Sequence, residues 1–389
     1  MNIFKYIYLF IFSMKRRDFI IAITSLALAS IAGGVIYFDN EGNKYCGEVK
    51  IIDSMGRTVY VPKEINKVVA LGPGTLGMII YAGGLDKISG IEQIELRNMW
   101  GQDCWLAYHD KFKGLPIVGQ GGPNATPDPS AILTAKPQVI IEDQLYAQVM
   151  DPNQLQEETK IPVIVVYTFS PKRIGELGPN TFKSSMSLLG ELLGTTDRTN
   201  ELNEYVNSLV NDLNSRTSNI SYRPSVYVGG LPYKTGSEGF LGTDVDFEVL
   251  NLINTKSVVD NLGWSPGFYN IDFSYLLRTQ PEFVFIDEGN LETVISEFSQ
   301  NKQQFCSLNA FKNGNVYGLL PYRWYQVNVT NQFLSAYYIG KNLYPDNFTD
   351  VDIFSLANEI YIKFLGINIY SNYLKYAPGY VNISGNFQC

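Results

Sequence analysis

The feature that most constrains this chain is a stretch that occurs twice. Ser-Ala-Ile-Leu-Thr-Ala-Lys-Pro-Gln-Val-Ile-Ile-Glu-Asp at residues 130–143 returns as Ser-Tyr-Leu-Leu-Arg-Thr-Gln-Pro-Glu-Phe-Val-Phe-Ile-Asp at residues 274–287. Ile132 matches Leu276, Leu133 matches Leu277, Pro137 matches Pro281, Val139 matches Phe283, Ile141 matches Phe285 and Asp143 matches Asp287. Each copy reads as a helix end, a proline that stops it, a buried strand, and an acidic residue at the strand's carboxyl end. The copies lie 144 positions apart (274 minus 130), an interval of domain size rather than a solenoid period. Other elements keep the same order: Val68-Val69-Ala70-Leu71-Gly72-Pro73 corresponds to Ser225-Val226-Tyr227-Val228-Gly229-Gly230, and residues 161–167 to 315–320. Strand and helix alternate in both halves, the pattern of a parallel α/β sheet covered by helices on both faces.

Between the halves, residues 179–216 carry two helical stripes. Phe182, Met186, Leu189 and Leu193 recur at spacings of 4, 3 and 4, and Leu202, Val206, Leu209 and Leu213 repeat that spacing. Gly194 separates the two, and Thr196 or Asp197 is placed to cap the second. Residues 197–216 as a helix span ~30 Å, enough to join two lobes. The expected organisation is an N-terminal segment at 1–38 and a tether at 39–48, an α/β lobe at 49–178 and a helical connector at 179–216. A second α/β lobe with closing helices follows at 217–375, and then a tail at 376–389. The first lobe opens with a hairpin over residues 49–61, and the closing helices fall at 330–343 and 352–365.

The net charge of −8, from 30 basic and 38 acidic residues, argues against a non-specific nucleic-acid binder. His109 is the single histidine, so a His-rich metal site cannot be built and no dedicated catalytic constellation is visible. Lys15, Arg16 and Arg17 precede an uncharged run at residues 19–38, the pattern of a signal peptide or a membrane anchor, which sends the rest of the chain out of the cytoplasm. Arg16-Arg17-Asp18-Phe19-Ile20 also resembles a twin-arginine export signal. Four cysteines, Cys46, Cys104, Cys306 and Cys389, contain no Cys-x-x-Cys and permit up to two disulfides with the pairing open. Five Asn-x-Ser/Thr sequons, at Asn124, Asn219, Asn328, Asn347 and Asn382, suit an exported surface.

Asp53-x-x-Gly56-Arg57 with Val59 and Val61-Pro62, then Val68 to Gly74 and Leu85-Asp86-Lys87-Ile88-Ser89-Gly90-Ile91, resembles the amino-terminal lobe of the ABC-transporter substrate-binding proteins that capture ferric siderophores, haem or cobalamin. The likeness continues through the Leu-x-x-x-x-Pro-x-hydrophobic-Asp units and Leu308-Asn309-Ala310-Phe311-Lys312-Asn313-Gly314-Asn315-Val316-Tyr317, and covers residues 51–365. No single motif is very specific, but their order is. The resemblance implies two Rossmann-like lobes joined by one long helix, with small hinge motion. It also implies delivery of a bound small molecule to a membrane permease powered by an ATPase, and docking on that permease through an exposed acidic residue on each lobe. Asp151 stands near the first such place and Asp246 or Glu248 near the second.

In open α/β sheets ligands bind outside the carboxyl ends of strands. The loops there carry Arg97, Trp100, Tyr146, Tyr233, Lys234, Tyr322, Arg323, Trp324 and Tyr325. Flat rings with Arg and Lys suit a large, planar, partly anionic chelate, with Arg97, Lys234 and Arg323 neutralising its charge. The expected function is therefore capture of an iron chelate, haem or corrinoid by a monomeric, non-catalytic protein that uses no cofactor and has no metal ligands of its own. Three alternatives are weighed. Gly72-Pro73-Gly74-Thr75-Leu76-Gly77 with Glu92 matches a dinucleotide-binding fingerprint and would suit an exported oxidoreductase, although Pro73 stiffens the turn where a pyrophosphate needs backbone N–H groups. A binder of a simple oxyanion such as molybdate would rely on several N–H groups and hydroxyls. An adhesive surface domain would lack a deep cleft.

Overall fold

The structure, a computed structural model, describes residues 47–122, 125–168, 181–233 and 239–389. The N-terminal signal or anchor segment, Lys234, Cys46 and Asn124 lie outside the described residues. The first lobe begins with strands β1 (Glu48–Ile52) and β2 (Thr58–Pro62), an antiparallel hairpin in which Glu48 faces Pro62. Its sheet contains β3 (Val68–Leu71), which leads into helix α1 (Thr75–Tyr81), and then β4 (Ile88–Gly90). Helix α2 (Asp103–Phe112) follows, then α3 (Pro129–Ala135), β5 (Val139–Asp143), α4 (Pro152–Thr159) and β6 (Val163–Val166). The four strands are parallel in the order β4-β3-β5-β6. The Asp53-x-x-Gly56-Arg57 turn fastens the hairpin to this sheet. Asp53 accepts from the Val165 amide at 3.2 Å and pairs with Arg57 at 2.6 Å, and Arg57 donates to the Val163 carbonyl at 2.7 Å.

Helices α5 (Phe182–Leu193) and α6 (Thr196–Thr217) connect the lobes. The second lobe holds β7 (Val226–Gly229), the hairpin strands β8 (Gly242–Val245) and β9 (Gly267–Asn270), helix α7 (Phe273–Thr279), β10 (Phe283–Asp287), α8 (Leu291–Gln300) and β11 (Val316–Leu319). Its parallel strands run β11-β10-β7. Closing helices α9 (Val329–Leu343) and α10 (Ile353–Leu365) complete it.

The repeat extends to details of capping. Asp128 caps α3 by accepting from the Ala131 amide, and Asp272 caps α7 by accepting from the Ser274 amide. Lys136 and Gln280 end these helices in the left-handed region at φ 48° and 46°. At the far ends of the strands, each matched aspartate performs one task. Asp143 accepts from the Leu145 amide at 2.8 Å and the Thr168 hydroxyl at 2.6 Å, while Asp287 accepts from the Gly289 and Tyr322 amides, both at 2.8 Å. Each carboxyl thereby turns its own loop and holds the loop after the next strand.

The connector is as expected in its apolar stripe and different in its surroundings. Gly194 ends α5 at φ 69°, and Thr181 caps that helix. Helix α6 is 22 residues, ~33 Å, with Leu202, Val206, Leu209 and Leu213 buried. Thr195 precedes it without a side-chain cap bond, so neither Thr196 nor Asp197 is the cap. Instead of standing alone, α6 is fastened by α9 and α10. Tyr337 donates to Asp212 at 2.7 Å, Tyr205 to Glu359 at 2.9 Å, and Lys363 pairs with Glu201 at 2.8 Å. Alternate residues of both sheets (Val68, Ala70, Val139 and Ile141 in the first; Val226, Val228 and Phe285 in the second) enter one apolar core shared with these helices. The opposite faces fill separate clusters, one per lobe. Burial on both faces is what the continuous apolar runs of the strands require.

The 376–389 stretch, expected as a tail, is packed on the second lobe. Phe387 and Ile383 are buried there, and Cys389 is bonded to Cys306, which resolves the one pairing among the described cysteines; Cys104 is free and buried. Asn328 is fully buried and unsuited to glycosylation, whereas Asn219, Asn347 and Asn382 are exposed. Among the described residues no helix is long and apolar enough to cross a membrane.

Candidate ligand-binding site

Between β11 and α9 the chain forms a tight tongue. Arg323 and Val327 make an isolated antiparallel bridge, the Trp324 amide donates to the Gln326 carbonyl at 2.8 Å, and the Asn328 amide donates to the Tyr322 carbonyl at 2.9 Å. The base of the tongue is internal to the second lobe. Tyr322 is buried against Phe247, with ring centroids 4.8 Å apart. Arg323 is also buried, ion-paired with Asp244, donating to the Pro232 carbonyl at 3.0 Å and packed over the Tyr322 ring. Asp244 of β8 thus balances the Arg323 charge inside the lobe.

The tip of the tongue reaches the first lobe. Trp324 lies 5.2 Å from Trp100, which stacks on Tyr376 at 5.6 Å and 10°. Gly101 makes room for it, since a Cβ there would come within 2.2 Å of the Trp324 ring. Three segments distant in sequence thus assemble one aromatic cluster, in which Trp100 and Trp324 are half-buried and Tyr376 is exposed. Tyr325 points to the carboxyl ends of the first sheet. It donates to Glu92 at 2.7 Å, stands 3.2 Å from the buried Tyr146 hydroxyl and accepts from the Gly122 amide at 3.0 Å. Gln326 donates to Asp103 at 2.7 Å, and its other amide atom lies where a Cβ on Gly77 would stand, at 2.4 Å.

The glycines of the dinucleotide-like fingerprint are therefore used otherwise. The Gly72 amide donates to Glu92 at 3.1 Å, and Gly77 admits the tongue. Glu92, the acid of that fingerprint, is the floor of a pocket that receives Tyr325.

Burial sets the electrostatics of this region. It pushes Glu92 above the ordinary carboxyl range, opposed by the Tyr325 and Tyr146 hydroxyls and the Gly72 amide. Glu95 and Glu142 are pushed up to about 8 by burial, Asp143 to about 6, Asp287 to about 7 and Glu288 to about 8. Asp103 is raised by burial and pulled back by the donors from Tyr81, Thr330, Gln326 and its neighbour's amide.

The remaining sequence-predicted residues are dispersed. Arg97 is exposed. Tyr233 is 51% exposed and stacks on Phe268 at 4.9 Å. Asp151 is exposed and caps α4 by accepting from the Asn153 amide. Glu248 is buried, and Asp246 is half-buried at φ 57°. His109 stacks on Trp105 within α2. Among the described residues no group of three or more His, Cys, Asp or Glu is placed to hold a metal ion. Sequence reasoning missed Tyr376, which lay in the presumed tail and carried no local signal. It also missed the buried interlobe network of Asp103, Gln326, Asn328 and Thr330.

Residues 68–322 match the family described as Periplasmic binding protein, well over half of the chain. The chain belongs to the periplasmic binding protein family. As a periplasmic binding protein of this kind it is an extracytoplasmic solute-binding protein serving an ABC transporter, and not an enzyme. It is 21% identical over 375 residues to the molybdate-binding protein MolA of Haemophilus influenzae, covering 90% of this chain and 97% of MolA. A periplasmic solute-binding protein from Veillonella parvula superposes with a TM-score of 0.67 at 19% identity, covering 87% of this chain and 98% of its own. MolA bound to molybdate superposes at 0.63 and 18% identity, covering 82% and 98%. These likenesses establish the two-lobed fold, with neighbours whose ligands range from molybdate to haem.

Proposed function

We propose that this periplasmic binding protein captures a metal chelate of the siderophore, haem or corrinoid class and delivers it to a membrane permease, acting as a monomer. The observation that carries the reading is the partly exposed cluster of Trp100, Trp324 and Tyr376 where the two lobes and the C-terminal segment meet. Rings of this kind offer stacking area to a planar ligand and little to a small tetrahedral ion. The exposed Arg97 and Tyr233, and Lys234 beside Tyr233 in the sequence, are assigned to the ligand's anionic and planar edges. Capture of a simple oxyanion is the second reading, favoured by the relation to MolA along nearly the whole chain. An oxyanion would want free cations or several N–H groups, and the Arg323 guanidinium is committed to Asp244.

Permease docking is assigned to Asp151 on the first lobe. On the second, Glu248 is buried, and the exposed Glu292 stands in the first turn of α8, the helix that follows β10 as α4 follows β5. Anchoring through residues 19–38 completes the proposal.

Titration with ferric citrate, haemin, cyanocobalamin and molybdate, followed by tryptophan fluorescence, tests the ligand class. A chelate is expected to quench wild type saturably and Trp324→Ala at least tenfold more weakly. Saturable binding of molybdate alone overturns the chelate reading.

A further inference from the structure

The pocket that receives the tip of the tongue has a chemistry of its own. Its walls are the Glu92 carboxyl, the Gly122 amide and the Tyr146 hydroxyl, all of the first lobe, at the strand ends where ligands of α/β sheets bind. Its occupant, Tyr325, comes from the second lobe. It follows the stretch that matches the family, which ends at residue 322, whereas the walls lie within it. With Glu92 as a carboxylate, the proton arrangement around the Tyr325 oxygen follows. Gly122 N–H donates to it, its own proton goes to Glu92 Oε2 at 2.7 Å, and Tyr146 donates to it at 3.2 Å, to the Gly122 carbonyl at 3.5 Å or to Glu92. The occupant atom must therefore both donate and accept. A hydroxyl does so, while an ammonium cannot accept from Gly122 and a deprotonated oxygen cannot donate to Glu92. The tip is also held uncomfortably, because Tyr325 stands at φ 58°, in the left-handed region that disfavours a residue with a Cβ.

We propose that Glu92, Gly122 and Tyr146 form a hydroxyl-binding subsite of the ligand cleft, that the Tyr325 phenol fills it as a stand-in, and that a neutral phenolic or alcoholic hydroxyl on the ligand takes its place. The subsite rests on the solute-capture reading and narrows it: the ligand carries a hydroxyl at its periphery, not bound to metal. Departure of the stand-in frees the tongue tip from Glu92 and lets Tyr325 leave its unfavourable backbone conformation, which offsets part of the cost of displacing it.

The test uses p-cresol as the hydroxyl probe, with toluene and 4-methylanisole as controls, observed by ligand-detected NMR on the full chain. Tyr325→Gly removes the phenol at a position whose backbone suits glycine, so the variant is expected to fold, with wild-type circular dichroism as the check. It should bind p-cresol saturably at one site, with toluene and 4-methylanisole at least about tenfold weaker, as expected for a hydroxyl hydrogen-bonded to a carboxylate. Glu92→Leu combined with Tyr325→Gly should lose that tenfold preference. Across wild type, Tyr325→Phe and Tyr325→Gly the affinity for p-cresol should rise in that order, because the competing hydroxyl and then the ring are removed. Equal binding of p-cresol and toluene, no p-cresol binding to folded Tyr325→Gly, or equal p-cresol affinity in wild type and Tyr325→Phe overturns the proposal. None of these arms uses a chelate, so their failure leaves the capture reading standing. A p-cresol site in a chain that binds no chelate overturns that reading instead.

Discussion

Replacing Asp103 should loosen the two lobes from each other by an amount that the geometry bounds. Four donors end on this one buried carboxyl: the Tyr81 hydroxyl, the Thr330 hydroxyl and the Cys104 amide at 2.6 Å each, and the Gln326 amide at 2.7 Å. Tyr81 and Cys104 belong to the first lobe, Gln326 and Thr330 to the tongue and the helix that follows it. Asp103→Ala deprives all four at once. Each buried donor left without an acceptor costs about 1–3 kcal/mol, but the two hydroxyls can rotate toward other acceptors, which leaves two amides stranded and a net loss of about 3–5 kcal/mol. Asp103→Asn keeps one acceptor oxygen and should lose about half as much. Chemical denaturation reads both variants against wild type, and the shared core predicts a single cooperative transition in each. A loss below about 1 kcal/mol for Asp103→Ala, or separate transitions for the lobes of the wild-type chain, would refute the argument that this network joins them.

Other consequences are as direct. Reducing the Cys306–Cys389 bond, which closes a separation of 83 residues, should lower stability by up to about 4–5 kcal/mol on chain-entropy grounds, read as a fall in the denaturation midpoint with dithiothreitol; an unchanged midpoint contradicts it. Asp143, Asp287, Glu95, Glu142 and Glu288, raised to about 6, 7, 8, 8 and 8, keep protons in the fold that the unfolded chain has already lost, so stability falls as pH rises from about 4 to 8. Asp350, lowered to about 2 by Arg216, acts in the other direction below pH 4, so thermal midpoints should peak near pH 4–5, and a midpoint that climbs from pH 5 to 8 is the contrary result. Arg323→Ala leaves Asp244 buried without its cation and should cost about 3 kcal/mol, part of which returns in the Arg323→Ala/Asp244→Ala double variant; a change below 1 kcal/mol in the single variant rejects the pairing.

The fold was legible because its evidence is periodic and local. The two copies at 130–143 and 274–287 carry the same stop, strand and acidic end, and the stripes of α5 and α6 show their buried faces directly. Placement after strands was enough to bring Trp100, Tyr146 and Trp324 to the junction of the lobes. What stayed hidden depends on partners remote in the chain. Arg323 is balanced by Asp244, 79 positions earlier on a hairpin, and nothing near Arg323 announces it. Tyr376 reaches Trp100 because the C-terminal segment returns across the first lobe, where the Tyr373 hydroxyl donates to the Gly101 carbonyl. Glu92 stands at the spacing of a ribose-binding acid, yet its carboxyl is shaped by a tyrosine 233 residues away. The connector was recognised by its own stripe, while the helices that fasten it could be assigned only once their packing was known.

Whether this cleft captures a metal chelate, as proposed, is read in the absorption spectrum and metal content of the protein purified from its own host. A visible band of a ferric chelate, haem or corrinoid with about one metal atom per chain is the expected result. Molybdenum without a visible chromophore, or the absorbance of a bound nicotinamide or flavin, would contradict it.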